Sequence, residues 1–298
     1  MGGYVILTDS SCDLPPELAE ELQLQTIPLT FTVGGKNYLN YLDERELSIQ
    51  YFYGMLRHGQ AAYTSAVNIE AFRAYMEPIL SAGEDILFLS FSSALSATFQ
   101  NSLTAASMLS QQYPERKIHC VDTRCASLGQ GLLAYLTAER RDEGANLDEA
   151  TAFAEERSRD WVEENKLHLC HWFTVDDPGF LKRGGRAAPG NNAVGAKLHV
   201  EPILRVDEYG CLVGAEKVRG RRAAIRALAE KAEQYATPPL GQTIFISHGD
   251  CQDDAEELAA LVRERLRPRR VVVHPVGPVI GAHAGPGTLA LFFVGDAR

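Results

Sequence analysis

The feature that most constrains the fold is a repeated alternation in the first half of the chain. Short, continuous apolar runs take turns with stretches of helical periodicity. Tyr4-Val5-Ile6-Leu7 reads as a buried strand, followed by a helix opened by Pro15-Pro16. Residues 27–33 read as a second strand that stops at Gly34-Gly35. Asn68 begins an amphipathic helix whose apolar positions include Ile69, Phe72, Met76 and Ile79. Asp85 to Leu89 is another buried strand, with a helix over residues 96–112. A strand over residues 117–121 and a helix over 128–143 complete the series. Strands of this kind, separated by helices, form parallel sheets through crossover connections.

The second half is less regular. A charged helix is expected over residues 147–164 and a strand over 167–175. Residues 197–206 and 211–218 flank Asp207-Glu208-Tyr209-Gly210, the pattern of an antiparallel hairpin. Helix, strand, helix and two closing strands follow. Residues 184–195 are rich in Gly, Asn and Pro and read as a loop. The expected architecture is α/β: an N-terminal parallel-sheet α/β domain over 1–155 and a C-terminal α+β domain over 156–298. The boundary is soft, within 145–165. The last strands are free to return to the interface, and a ligand would sit between the domains.

Composition narrows the function. The 298 residues carry a net charge of −10, which argues against nucleic acid or an anionic membrane surface as a general partner. No apolar run reaches membrane-spanning length. The N-terminus has no basic region before its first strand, so no signal peptide is expected. Six scattered cysteines, without scaffold spacing, read as reduced thiols in the cytoplasm.

Ligand sites in open α/β sheets lie beyond the carboxyl ends of the strands. Polar clusters fall there: Thr8-Asp9-Ser10-Ser11-Cys12-Asp13, the segment from Ser90 through Ser93 to Ser96, and Asp122-Thr123. Helix caps favour the same residue types, so each cluster has a purely structural reading too. Thr64-Ser65 precedes the Asn68 helix and reads as a cap or a site. His283 lies in Gly281-Ala282-His283-Ala284-Gly285-Pro286-Gly287. It is either a core histidine or one facing a pocket that small residues let a ligand approach. Basic clusters at Lys182-Arg183-Gly184-Gly185-Arg186 and Lys217-Val218-Arg219 are solvated loops or a docking face. His168, Cys170 and His171 alternate along one strand pattern, which argues against a zinc site. Asp9, just after a strand, keeps open a phosphoryl-transfer enzyme with Asp9 as nucleophile. A third reading is an interaction protein without a ligand.

Taken in order, these segments resemble the DegV family. The resemblance rests on Thr8-Asp9-Ser10 with Asp13-Leu14-Pro15, on Thr64-Ser65, and on Ser92-Ser93-Ala94-Leu95-Ser96-Ala97-Thr98. It continues through Leu181 to Arg186, Glu201-Pro202-Ile203-Leu204, Lys217-Val218-Arg219 and the segment from His283 to Gly287. It implies a two-domain α/β protein that encloses a long-chain fatty acid in a buried tunnel between its domains. It also implies that the chain is the lipid-carrying, non-catalytic subunit of a fatty acid kinase serving phospholipid metabolism. A separate ATP-dependent subunit would phosphorylate the carboxylate to an acyl phosphate. Carried over by motif, Thr64, Ser96 and His283 would hold the carboxylate. Ser10, Ser65, Ser93 and Gly285 would support the pocket, and Arg186 and Arg219 would meet the kinase. No metal and no cofactor are implied beyond the bound acid. The chain departs from the family pattern at Ala97, where a glycine is usual, and at Ala66-Val67-Asn68. Those changes bear on chain length and partner choice.

Overall fold

A computed structural model describes residues 4–145, 154–186, 200–238 and 240–296. In chain order, the first half contains β1 (Tyr4–Asp9), α1 (Pro16–Glu21), β2 (Gln25–Ile27), β3 (Leu29–Val33), β4 (Lys36–Asn40) and α2 (Ile49–Arg57). It continues with β5 (Ala62–Ser65), α3 (Ile69–Ser81), β6 (Asp85–Ser90), α4 (Thr98–Gln112), β7 (Ile118–Asp122) and α5 (Leu128–Ala145). The second half contains α6 (Ala154–Asn165), β8 (Leu169–Thr174), α7 (Gly179–Arg183), β9 (Val200–Val206), β10 (Leu212–Arg219) and α8 (Arg221–Tyr235). It ends with β11 (Thr243–His248), α9 (Gln252–Leu266), β12 (Arg270–Pro275), α10 (Pro278–Ala284) and β13 (Leu289–Val294).

The apolar runs make the central strands. β1 and β6 are buried along almost their whole length and pair in parallel, giving the all-parallel order β2-β1-β6-β7. Parallel strands covered on both faces have no exposed positions, hence runs rather than alternation. The second half builds a six-stranded mixed sheet, β10-β9-β8-β13-β11-β12. β9 and β10 form the expected antiparallel hairpin. Helix α5 is the layer between these two sheets. Its Leu128, Leu132, Leu133 and Tyr135 share one core with Ile6 and Leu87 on one side and Phe245 and Phe292 on the other. The opposite face of the six-stranded sheet packs against α8 and α9.

Three readings of the sequence are corrected. Residues 27–33 are not one strand. β2 ends at Ile27, Pro28 interrupts, and β3 belongs to a separate antiparallel sheet, β4-β3-β5. A proline has no N–H to continue the ladder, so the chain changes sheets there. Elements β4, α2 and β5 were not expected at all. Thr64 lies on strand β5 rather than on a helix cap; Asn68 caps α3, its Oδ1 accepting from the Ala71 N–H at 2.8 Å. The charged helix begins at Ala154 within the described residues, and most of the loop expected over 184–195, with its Gly190-Asn191-Asn192, lies outside them.

The last strand, β13, stays inside the six-stranded sheet, between β8 and β11. It is α10, just before it, that reaches the N-terminal elements α2, β3 and β5. Among the described residues, no helix is long and apolar enough to cross a membrane.

Candidate functional site

Helix α10 is short because Pro278 opens it and Gly285, at φ +81°, closes it. Its segment presents Val276, Val279, Ile280, His283 and Ala284 to a cavity of about 300 Å³. Val279, Ile280, His283 and Ala284 share one face of the helix, and Val276 precedes it. Leu29, Phe91, Leu95, Phe173, Phe292 and other apolar side chains make the rest of the wall predominantly hydrocarbon.

Polar groups gather at the His283 end. Thr64 Oγ1 lies 2.7 Å from His283 Nε2, which joins β5 to α10. Ser65 and Ser96 line the same cavity. Ser96 Oγ lies 2.9 Å from Thr98 Oγ1 and accepts from the Thr98 N–H at 3.2 Å, so it also braces the start of α4. Burial, and then the neighbouring Arg186 cation, push the His283 imidazole down to about 4. The ring is therefore neutral near pH 7. Its Nδ1 is buried with no hydrogen-bond partner among the described residues. Gly184 packs there so closely that a Cβ would stand 2.3 Å from Nδ1.

Arg186, expected near the exposed end where a kinase would dock, is half-buried and lines the cavity. Its Nε donates to the Leu95 carbonyl at 3.2 Å and its guanidinium also meets the Gly184 carbonyl. Burial lowers its pKa. Arg219 is exposed on β10, an edge strand. The site can thus offer two hydroxyls, a neutral imidazole and one cation to an anionic head group.

Three residues expected to support the pocket lie outside its lining. Ser10 Oγ accepts from the Leu29 N–H at 3.0 Å and from Asn40 Nδ2 at 3.2 Å. Ser93 is exposed, and its hydroxyl donates to Asp122 Oδ2 at 2.5 Å. Gly285 serves close packing, because a Cβ there would meet the Phe180 ring at 2.5 Å. Belonging to a motif does not fix which way a side chain points. Conversely, Ser11, Ser127, Ser247 and His171 line the cavity and were not picked out as site residues. His171 sits with Nδ1 2.8 Å from the Leu169 carbonyl and Nε2 accepting from the Ala126 N–H at 3.3 Å. Among the described residues no group of three or more His, Cys, Asp or Glu could hold a metal ion.

The N-terminal acidic motif is structural. Asp9 is fully buried and does not line the cavity. Its Oδ1 accepts from the Ser11 N–H and hydroxyl, and its Oδ2 from the Phe91 N–H at 3.0 Å. Burial raises its pKa. A nucleophile must reach its substrate, so the phosphoryl-transfer reading of Asp9 fails on access. Asp13 joins distant parts of the chain, accepting from Ser127 Oγ at 2.6 Å and from the Gly277 N–H at 3.1 Å.

Burial pushes the Asp13 carboxyl up to about 7. The folded protein thus binds this proton more tightly than the unfolded chain, whose aspartates titrate near 4. Stability from this group rises as pH falls through about 7 and levels off below about 4. Thermal unfolding between about pH 8 and pH 5 should show that rise in the wild type and less of it in Asp13→Asn. Identical slopes in the two proteins would remove Asp13 as its source.

These features define an α/β protein that encloses an apolar ligand cavity with a polar end. The chain belongs to the DegV family: residues 4–296 match the family model described as "Uncharacterised protein, DegV family". It is 41% identical to a DegV domain-containing protein of Clostridium perfringens over 298 residues, covering 100% of this chain and 99% of the relative. Among solved structures it is similar to DegV, a fatty acid binding protein from Bacillus subtilis, with a TM-score of 0.84 and 27% identity over 99% of this chain and 100% of that one. A DegV family protein from Thermus thermophilus, described by its fatty acid binding, gives a TM-score of 0.83 at 27% identity, again over 99% and 100%. A DegV lipid binding protein from Thermotoga maritima gives 0.83 at 27%, over 99% of both chains.

Proposed function

We propose that this protein binds a long-chain fatty acid between its units 1–155 and 156–298 and presents the carboxylate to a separate ATP-dependent kinase subunit. The observation that carries this reading is the Thr64–His283 contact at one end of a predominantly apolar cavity. A buried carboxylate without donors is costly. The Thr64–His283 pair keeps one donor beyond its mutual hydrogen bond, and the Ser96 hydroxyl supplies another. Arg186 adds charge complementarity. The tail supplies affinity, at roughly 0.8 kcal/mol per buried CH₂ before ordering costs. The fatty acid binding described for the Bacillus and Thermus proteins supports the same ligand class.

In this reading the chain supplies no catalytic group. Hydroxyls and a neutral imidazole hold the acid, and Arg186 is already engaged by the Leu95 and Gly184 carbonyls, which leaves a carboxylate oxygen able to attack a phosphoryl donor. The exposed Arg219 then belongs to the face that meets the kinase. Six free cysteines fit a reducing cytoplasm.

A solvent extract of purified protein, read by mass spectrometry, should contain stoichiometric long-chain fatty acid. Empty extracts, together with no rise in melting temperature on adding such an acid, would overturn the proposal. The docking part has its own expected result. Arg219→Glu should slow acyl phosphate formation by the kinase subunit severalfold while the affinity for the acid stays unchanged. An unaltered rate would remove Arg219 from the docking face.

A further inference from the structure

Hydroxyls are not confined to the head-group end of the cavity. Ser127 and Ser247 both line it and both are at least 95% buried, with exposures of 5% and 0%. Ser127 Oγ donates to Asp13 Oδ2 at 2.6 Å. Its single proton is thereby committed. Ser247 Oγ, 3.1 Å from Ser127 Oγ, must then be the donor of that pair. Both hydroxyl protons point into the wall. What the pair can still offer a ligand is oxygen lone pairs.

Their distance from the clamp can be measured along α10. Asp13 holds Ser127 with one oxygen and the Gly277 N–H with the other, so the serine pair lies at the Gly277 end of that helix. His283 lies at its far end, and the face between them lines the cavity. Gly277 and His283 are six positions apart, about 9 Å at 1.5 Å rise per residue, which sets the scale of the separation at roughly seven carbon–carbon bonds of an extended acyl chain. The strand register runs from Ser247 opposite Ala290 on to Phe292 opposite His171, and these residues also line the cavity, so lined wall remains past the serines for the rest of a long chain.

A methylene opposite these oxygens leaves their remaining lone pairs unused, whereas a hydroxyl would fill one of them. We propose that Ser127 and Ser247 form a second polar subsite, which accepts a hydrogen bond from a hydroxyl near the middle of the acyl chain. The ligand class is thus a long-chain acid hydroxylated at about carbons 7 to 10. This rests on the fatty-acid reading above and adds a substrate preference to it.

The test is a set of dissociation constants for the full chain, taken at about pH 8, where Asp13 is mostly ionised. The probes are stearic acid, hydroxystearic acids substituted near the head, the middle or the tip, and the mid-chain ketone. The mid-chain hydroxy acid should bind roughly three- to tenfold tighter than stearic acid. The head- and tip-hydroxylated acids should gain nothing. The ketone should also gain nothing, since a carbonyl brings no proton. In Ser247→Ala the ratio of mid-chain hydroxy acid to stearic acid should fall to near one. A wild-type protein that binds the mid-chain hydroxy acid no tighter than stearic acid, or gains equally from the ketone, overturns the subsite while leaving fatty acid binding intact. Failure to bind stearic acid or any of the hydroxy acids overturns the underlying reading and the subsite with it.

Discussion

Replacing His283 with alanine is expected to weaken fatty acid binding by roughly ten- to a hundredfold, the range for a lost hydrogen bond to a charged group. The imidazole is neutral, so the loss is that of a donor and a positioning contact rather than a counter-ion. Thr64 Oγ1 would lose its partner at 2.7 Å and with it a fixed orientation. The effect should therefore be non-additive with Thr64→Val, and a double-mutant cycle should report a coupling between the two. Isothermal titration with palmitic acid gives all four affinities. Affinity within about twofold of wild type in His283→Ala, with the protein still folded, would remove His283 from the carboxylate site.

A second large effect is expected at a residue that touches no ligand. Gly184 has φ −73°, an ordinary value, so backbone freedom is not why glycine stands there. Space is the reason: a Cβ would lie 2.3 Å from His283 Nδ1 and 3.1 Å from its Cγ. Such a distance forces the ring or the loop to move, and the ring is what Thr64 holds. Gly184→Ala should then cost about tenfold or more in fatty acid affinity, because the displaced donor no longer meets the carboxylate. Gly185→Ala is the control. Gly185 has φ +69° and open space where a Cβ would go, so alanine strains the same loop without touching the imidazole. It should lower the melting temperature with a much smaller loss of affinity. Equal losses in the two variants would show that loop strain, not contact with His283, is what matters.

How much of this was legible in the sequence depended on the range of the interaction. β1 and β6 announced themselves, since buried parallel strands are continuous apolar runs. The hairpin of β9 and β10 followed from local turn chemistry around Asp207 and Gly210. Pro28 was a visible break, yet the change of sheet it permits depends on β5 pairing with β3 from the far side of α2. Thr64 looked like a cap because a helix followed; its place on β5 is set by that same pairing. The acidic motif near the N-terminus looked chemical. Its carboxylates are instead answered by Phe91, Ser127 and Gly277, lying 82, 114 and 264 residues away, partners no local pattern reveals. Arg186 read as surface because basic residues usually are, whereas it is half-buried at the cavity, its guanidinium donating to the Leu95 and Gly184 carbonyls. Helix α10 was not read from the sequence, although Val279, Ile280 and His283 carry helical spacing; at seven residues it is too short to stand out between two strands.

The central claim is that a fatty acid carboxylate sits at the Thr64–His283 contact. Palmitic acid labelled with ¹³C at its carboxyl carbon tests it most directly, by NMR of the bound acid. One bound resonance is expected that stays unchanged from about pH 8 to pH 5, because buried donors hold the carboxylate ionised, and that shifts in His283→Ala. A bound carboxyl that titrates like the free acid, or one indifferent to His283→Ala, would contradict it.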